Sequence, residues 1–273
     1  MSKKTSSTKL TAGANLTRRA FLKSTAVLAA APYVIPATAL GRDGRVAPSE
    51  RIILGGLGIG TRGSHDLRWM LPEADVQFVA DCDPQKQRRQ AVKEIVDTHY
   101  GNTDFKLYSN TPEFLAERTD IDGLLVTTGD RWHALASIMA MRAGKDVYSE
   151  KPSSMTIAEG QGVVDTAKRY RRIYQTGTQR LSEGNFTFCN EMLRLGRLGK
   201  VHTVRAHIAP WHAAEMRHDW LPAEPLPPKD EVDWDAWLGP CPWRPYNPAY
   251  TRGDWSGFYD FHTSCIGEWG AHT

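Results

Sequence analysis

The chain has 273 residues, 41% hydrophobic and 24% charged, enough for one large domain or two modest ones of ordinary globular composition. The formal charge of +3 is concentrated at the start: residues 1–39 hold six basic residues and no acidic one. Without them, 28 basic residues face 31 acidic ones, about −3, which excludes a basic nucleic-acid-binding face.

Residues 1–39 read as an export signal. Thr17-Arg18-Arg19-Ala20-Phe21-Leu22-Lys23 has the twin-arginine form, and Ala26 to Ala39 is apolar but short and interrupted by Pro32 and Pro36. That run is too short for an ordinary membrane span, and Ala37-Thr38-Ala39 offers a cleavage site. An uncleaved arm or anchor is the alternative. Export by the twin-arginine (Tat) machinery carries proteins already folded, to the periplasm. Residues 40–50 are a polar linker.

The apolar run Ile52 to Leu54 predicts a buried strand that enters Gly58-x-Gly60-x-x-Gly63, with a helix over Ser64 to Met70. This is the arrangement of a phosphate-binding turn: Gly58 for the tight turn, Gly60 for backbone approach to a pyrophosphate, Gly63 for helix–strand packing. Thr61 and Arg62 lie in the same turn. Val76 to Asp83 predicts a second strand ending in acid. Asp83 stands where a carboxylate binds adenosine ribose hydroxyls and repels a 2′-phosphate, which favours NAD over NADP. Asp81 is a rival, and Asp83-Pro84 also reads as a helix cap.

Further on, the pattern predicts a helix over Gln85 to Tyr100 closed by Gly101, a short helix from Thr111-Pro112, and a strand over Ile121 to Thr127. A helix over Trp132 to Ala143 and a strand over Asp146 to Ser149 follow. The capping box Thr156–Glu159 opens a helix over Ala158 to Tyr170, and Ile173 to Thr176 reads as the next strand. This alternation predicts a doubly wound α/β (Rossmann) domain with a parallel sheet over 51–180, followed by a second domain over 181–273. In the second domain, Glu183 to Leu195 reads as a helix and Gly199 to Ile208 as an alternating strand. Seven of nine tryptophans lie at 211–269, as core filling or sugar-stacking surfaces.

Four cysteines form no C-x-x-C and suggest no metal site. Cys82 and Cys189 read as buried thiols, and Cys241 with Cys265 is the one pairing worth entertaining. Two stretches at strand ends carry chemistry. They are Thr127-Thr128-Gly129-Asp130-Arg131-Trp132-His133 and Ser149-Glu150-Lys151-Pro152, placed where open α/β sheets bind ligands. Lys151 would lie near the nicotinamide as an acid–base group, or be a surface lysine beside a turn proline. His133 is a cofactor contact or a helix-start histidine bonded to backbone.

Together, G-x-G-x-R-G, an acid after the second strand, D-x-W-H and Glu150-Lys151-Pro152 resemble the glucose–fructose oxidoreductase / inositol dehydrogenase / MocA (Gfo/Idh/MocA) family, its Tat-exported branch most of all. The resemblance implies a Rossmann domain plus a partial α+β domain on an open, mostly antiparallel sheet that mediates homo-oligomerisation. It implies NAD as cofactor, held by Gly58, Gly60, Thr61, Arg62, Gly63, Asp83, Thr128, His133 and Glu150. It also implies a small sugar or cyclitol substrate met by Lys151, Glu268 and His272, with Lys151 and His272 catalytic and no metal. Glu268-Trp269-Gly270-Ala271-His272 carries Glu where the family has Asp, and Thr128-Gly129 stands where Thr-Pro is usual. The family continues well beyond the position of His272, so a C-terminally truncated second domain is expected here.

Three functions follow. The first is NAD-dependent oxidation of a hydroxyl on a sugar, glycoside or cyclitol. The second is a redox-neutral, NAD-recycling cleavage of a glycoside or an epimerisation. The third is a non-catalytic dinucleotide-binding remnant.

Overall fold

A computed structural model describes residues 41, 46–205, 207 and 216–272. The twin-arginine stretch, the Ala37–Ala39 site and Trp211 lie outside the described residues. Contacts divide the chain into Met1–Pro48 and Ser49–Thr273, and everything below concerns the second unit. Among the described residues no helix is long and apolar enough to cross a membrane.

Six strands form one sheet: β1 (Ile52–Leu57), β2 (Val76–Cys82), β3 (Lys106–Tyr108), β4 (Gly123–Val126), β5 (Asp146–Glu150) and β6 (Tyr174–Gly177). Their order is β3-β2-β1-β4-β5-β6 and every pairing is parallel. This is the doubly wound Rossmann order, and its direction reverses between β1 and β4. Parallel strands need crossovers, which the helices supply: α1 (Thr61–Met70), α2 (Lys86–Tyr100), α3 (Thr111–Glu117), α4 (Asp130–Arg142) and α5 (Ile157–Tyr170). The β4 run Gly123–Val126 is wholly buried, as a central strand covered on both faces must be.

Local chemistry sets the ends. Gly101 closes α2 with φ 67° in the left-handed region, a backbone conformation that side-chain-bearing residues rarely adopt. Asn110 caps α3 by accepting from the Glu113 N–H, and Thr156 and Glu159 form the expected capping box of α5. β3, which the sequence pattern does not reveal, is three residues long with one exposed and two half-buried positions. Such a strand is too short to show a period, and it exists because β2 offers it an edge.

Two apolar clusters flank the sheet, one around Leu57, Phe114, Leu124 and Met141, the other around Leu67, Phe78, Val96 and Leu125. Each fully buried side chain of this kind contributes about 1.5–3 kcal/mol. A third, aromatic cluster gathers Trp234, Trp237, Tyr250, Phe258 and Phe261. It is built on α7 (Trp234–Leu238) and α8 (Pro248–Arg252) and on the turns after them. Trp234 and Trp237 stack at 4.9 Å, so these two serve as core and have no face left for a sugar.

The cluster is tied to the sheet domain by buried Arg131 of α4. Its Nε and Nη2 donate to the Trp237 carbonyl at 3.1 and 2.7 Å, with the guanidinium 3.8 Å from the Trp237 ring. Burial pushes the Arg131 guanidinium down to about 10. Backbone bonds from Lys86 to Glu231 (2.9 Å) and from Asp233 to Pro84 (3.1 Å) add a second tie, beside the end of β2.

The chain after Gly177 differs from expectation in detail. The helix α6 (Gly184–Arg194) forms, but the described positions of the expected strand, 199–205 and 207, join no ladder. A strand requires a neighbour to take its N–H and C=O groups, and none lies beside it among the described residues. Cys189 on α6 is exposed, not buried, because no described residue of α6 is buried. Cys241 and Cys265 are free thiols, so the entertained pairing is not formed, and Cys241 Sγ donates to the Asp260 carbonyl at 2.9 Å.

Candidate active site

A cleft of about 810 Å³ opens at the carboxyl ends of β1, β2, β4 and β5, over the point where strand order reverses. It runs from Asp83, Gln85 and Arg88 past the glycine turn to Lys151, His262 and Glu268. Each glycine has its own reason to be there. Gly58 holds φ 68°, and a Cβ would stand 2.9 Å from Thr128 Cα. A Cβ on Gly63 would overlap the Thr127 hydroxyl, so that glycine lets α1 approach β4. A Cβ on Gly60 would meet only the Arg88 guanidinium, at 3.1 Å, and otherwise stand in open space. Gly60 also caps α1, turning the unpaired N–H groups of the first turn toward that space.

These features fit a bound dinucleotide. The Gly60 cradle would be filled by any side chain, and the Thr128 hydroxyl lines the cleft buried and without a hydrogen-bond partner.

Asp83, not Asp81, faces the cleft. Its Oδ1 accepts from the Gln85 N–H at 2.7 Å, and burial pushes its carboxyl up to about 6 against the pull of that bond and of Arg88, Arg89 and Arg131. Asp81 is wholly buried, and burial and the charge of Asp83 push it well up. A carboxylate that titrates at about 6 is charged above that pH and neutral below it. We therefore expect the preference for NAD over NADP to be largest at pH 8 and to narrow as pH falls to 5, since a neutral Asp83 no longer repels a 2′-phosphate. Asp83→Ser should narrow it at all pH. Titration with both dinucleotides at the two pH values checks this, and a preference independent of pH counts against the assignment.

Glu150 and Arg62 form an internal network. Arg62 Nε donates to Glu150 Oε1 at 3.0 Å, and Arg62 Nη2 ion-pairs with buried Asp66 at 2.8 Å. Gln179 also donates to Glu150, whose other oxygen accepts from the Lys151 N–H at 3.1 Å. Burial, then the charge of Glu150, pushes the Asp66 carboxyl up to about 7. Thr61 is exposed at the start of α1. His133 is committed to the backbone on both ring nitrogens, Nδ1 to the Pro152 carbonyl at 2.7 Å and Nε2 to that of Thr128 at 2.9 Å. It braces the Thr128 loop against the cis Lys151–Pro152 turn, which leaves neither nitrogen free for a cofactor.

Lys151 leaves β5 and its Nζ donates to Glu268 Oε2, on α9 (Ser264–Gly270). The other Glu268 oxygen faces His262 Nε2 at 3.3 Å. Burial pushes the Glu268 carboxyl up, but hydrogen bonds from His262 and Lys151 and their charges outweigh it and hold it at about 2. His272 stands just beyond α9 and does not line the cleft. Its Nδ1 is buried without a partner, and burial, then the charges of Lys151 and Arg180, push its imidazole down.

The structure thus brings Lys151 and Glu268 together and adds two groups that sequence reasoning did not select, His262 and Asp130. Asp130 stood within a motif already noted. His262 carried no signal, since neither spacing nor period sets it apart. The ligand atoms of Asp130, His262 and Glu268 lie within 4.8 Å of one another, close enough to hold a metal ion. The His262 Nδ1, however, accepts from the Ser264 N–H at 3.1 Å, which leaves the ring proton on Nε2, facing the carboxylates. The proton-bearing Nε2 is thus spent on Glu268 at 3.3 Å, the geometry of a hydrogen bond and not of a ligand set.

Comparison with known proteins agrees with this architecture. Residues 52–178 match the model of an oxidoreductase family's NAD-binding Rossmann fold, and residues 192–273 that of the family's C-terminal alpha/beta domain. A glycosyl hydrolase family 109 protein of Shewanella baltica is 31% identical over 180 residues, covering 58% of this chain and 38% of that protein. A myo-inositol 2-dehydrogenase of Thermotoga maritima is 29% identical over 156 residues, covering 57% and 44%. The chain therefore spans less than half the length of these relatives. The crystal structure of a myo-inositol 2-dehydrogenase from Lactobacillus plantarum superposes with a TM-score of 0.50 at 22% identity, over 55% of this chain and 43% of that one, a likeness of fold.

Proposed function

The chain belongs to the Gfo/Idh/MocA oxidoreductase family, whose two domain models match residues 52–178 and 192–273, and from that premise we propose that it oxidises a hydroxyl of a sugar, glycoside or cyclitol. One observation carries the reading: the Lys151 amine, paired with Glu268, shares a single cleft with the glycine turn and Asp83. Bound NAD would supply the hydride acceptor. Gly60 and the first turn of α1 would hold its pyrophosphate, Asp83 its ribose, and Thr128 the backbone side of the turn. Once it has released one proton to solvent, the Lys151 amine would take the hydroxyl proton as the C–H hydrogen leaves as hydride to the bound NAD, so the products are a carbonyl, NADH and the ammonium that pairs with Glu268. Glu268 holds that amine in place.

A second reading is favoured by the printed name of the Shewanella relative, a glycosyl hydrolase. Transient oxidation would acidify the neighbouring C–H, the glycosidic oxygen would leave, and return of the hydride would restore the cofactor. The same proposal places the enzyme outside the cytoplasm, delivered by the Tat machinery with its dinucleotide bound, on the strength of the leader at residues 17–39. It also makes the second domain a homo-oligomer contact, a role that exposed Phe188, Leu193 and Leu195 suit.

Purified protein incubated with NAD and myo-inositol, and separately with a nitrophenyl glycoside and no added acceptor, separates the readings. Growth of NADH absorbance in the first supports oxidation. Release of nitrophenol without net NADH supports the redox-neutral route. A protein that carries no nucleotide and binds none on titration refutes both.

A further inference from the structure

Lys151 ends on a long flexible side chain, yet its amine has one well-defined partner. The reason lies behind that partner. Glu268 spends one oxygen on Lys151 and the other on His262. His262 is itself immobilised: it is 5% exposed, its Nδ1 is pinned by the Ser264 N–H at 3.1 Å, and its ring packs edge-on to Trp255 at 5.5 Å. The next residue, Thr263, donates from N (3.0 Å) and Oγ1 (2.9 Å) to Asp130 Oδ2, on the first residue of α4. The same Asp130 oxygen lies 3.9 Å from His262 Nε2. The contacts therefore run from Asp130 at the start of one Rossmann helix, through Thr263 and its neighbour His262 in the second domain, to Glu268 and Lys151 at the end of β5.

We infer that His262 is a positioning residue: backed by Asp130, it donates from Nε2 to Glu268 and locks that carboxylate against the Lys151 amine. It acts on the reacting group only through Glu268, and the inference rests on the reading of Lys151 as the acid–base group. The physical reason is that a carboxylate tied at both oxygens has one rotamer, whereas one tied only to a flexible lysine has several. Releasing Oε1 lets Glu268 turn away, and the amine then spends part of its time unpaired. The other charged groups around the amine, which stay in every variant, are Asp66 and Arg62 of α1, Glu150 of β5, Arg180 and His272.

Acylation of Lys151 by acetic anhydride, followed by peptide mass between pH 6 and 10 on the whole chain, reads the state of the amine without any substrate. NAD affinity serves as the check on fold. In His262→Ala and in Glu268→Gln, Lys151 should be acylated several-fold faster at pH 8, because an amine released from its carboxylate partner is open to the reagent. In His262→Gln, which keeps an N–H for Glu268, the rate should stay within about twofold of the unmutated protein. An unchanged rate in His262→Ala, or a His262→Gln rate equal to that of His262→Ala, overturns the inference. Nitrogen NMR of the unmutated protein at pH 7.5 tests it with no variant at all. A proton on Nε2 of His262 is expected. A bare Nε2, the form a metal ligand needs, overturns it. The reading of function fails separately, if Lys151→Met leaves turnover unaltered.

Discussion

Replacing Lys151 with methionine is expected to lower turnover by about 10²- to 10⁴-fold, the usual worth of a positioned acid–base group. Methionine keeps the length of the side chain but cannot carry a proton. Its thioether also leaves Glu268 with His262 as sole partner at Oε1 and nothing at Oε2. NAD affinity should barely change. The groups expected to hold the dinucleotide, the Gly60 turn and Asp83, make no contact with Lys151, and the network of Glu150 uses the Lys151 backbone N–H, which the substitution preserves. Single-turnover kinetics beside a dinucleotide titration separate the two effects. Turnover within a few-fold of the unmutated rate would remove Lys151 from the chemistry.

Gly60→Val should abolish dinucleotide binding while leaving the fold intact, and Gly63→Val should do the reverse in kind. At Gly60 a new side chain meets only the mobile end of Arg88 and projects into the space above the first turn of α1. There it displaces the pyrophosphate without touching the core. At Gly63 the first new carbon already overlaps the Thr127 hydroxyl between α1 and β4, so the helix has to move. Overpacking of this kind costs about 1–3 kcal/mol or more. Thermal unfolding and NAD titration on both variants check the pair. Gly60→Val that binds NAD as before would show that the pyrophosphate does not lie over this turn.

The sheet domain was legible because its signals are local. Apolar runs mark β1 and β4, a β-prone stretch ending in acid marks β2, Gly101 marks the end of α2, and Thr156 with Glu159 marks the start of α5. Each is a matter of backbone conformation or of hydrogen bonds within four residues. The spacing of the three glycines is also read locally, although what a Cβ would strike at Gly58 and Gly63 is Thr128 and Thr127, far along the chain. The short β3 and the brief helices α7 and α8 were not legible. They are too short to display a period, and they form where β2 and the aromatic cluster receive them.

The sequence by itself thus determined the alternation of strands and helices apart from β3, and the glycine signature between β1 and α1, because these depend on neighbours along the chain. Only the tertiary structure decided between Asp83 and Asp81. They are two residues apart, Asp81 within β2 and Asp83 just beyond its end, and of the two Asp83 alone lines the cleft. It also decided that both ring nitrogens of His133 serve the backbone, that Trp234 and Trp237 are core, and that His262 stands behind Glu268 while His272 lies outside the cleft. Those outcomes are set by contacts between residues up to 133 positions apart, as Thr263 is from Asp130, and no spacing along the chain encodes them.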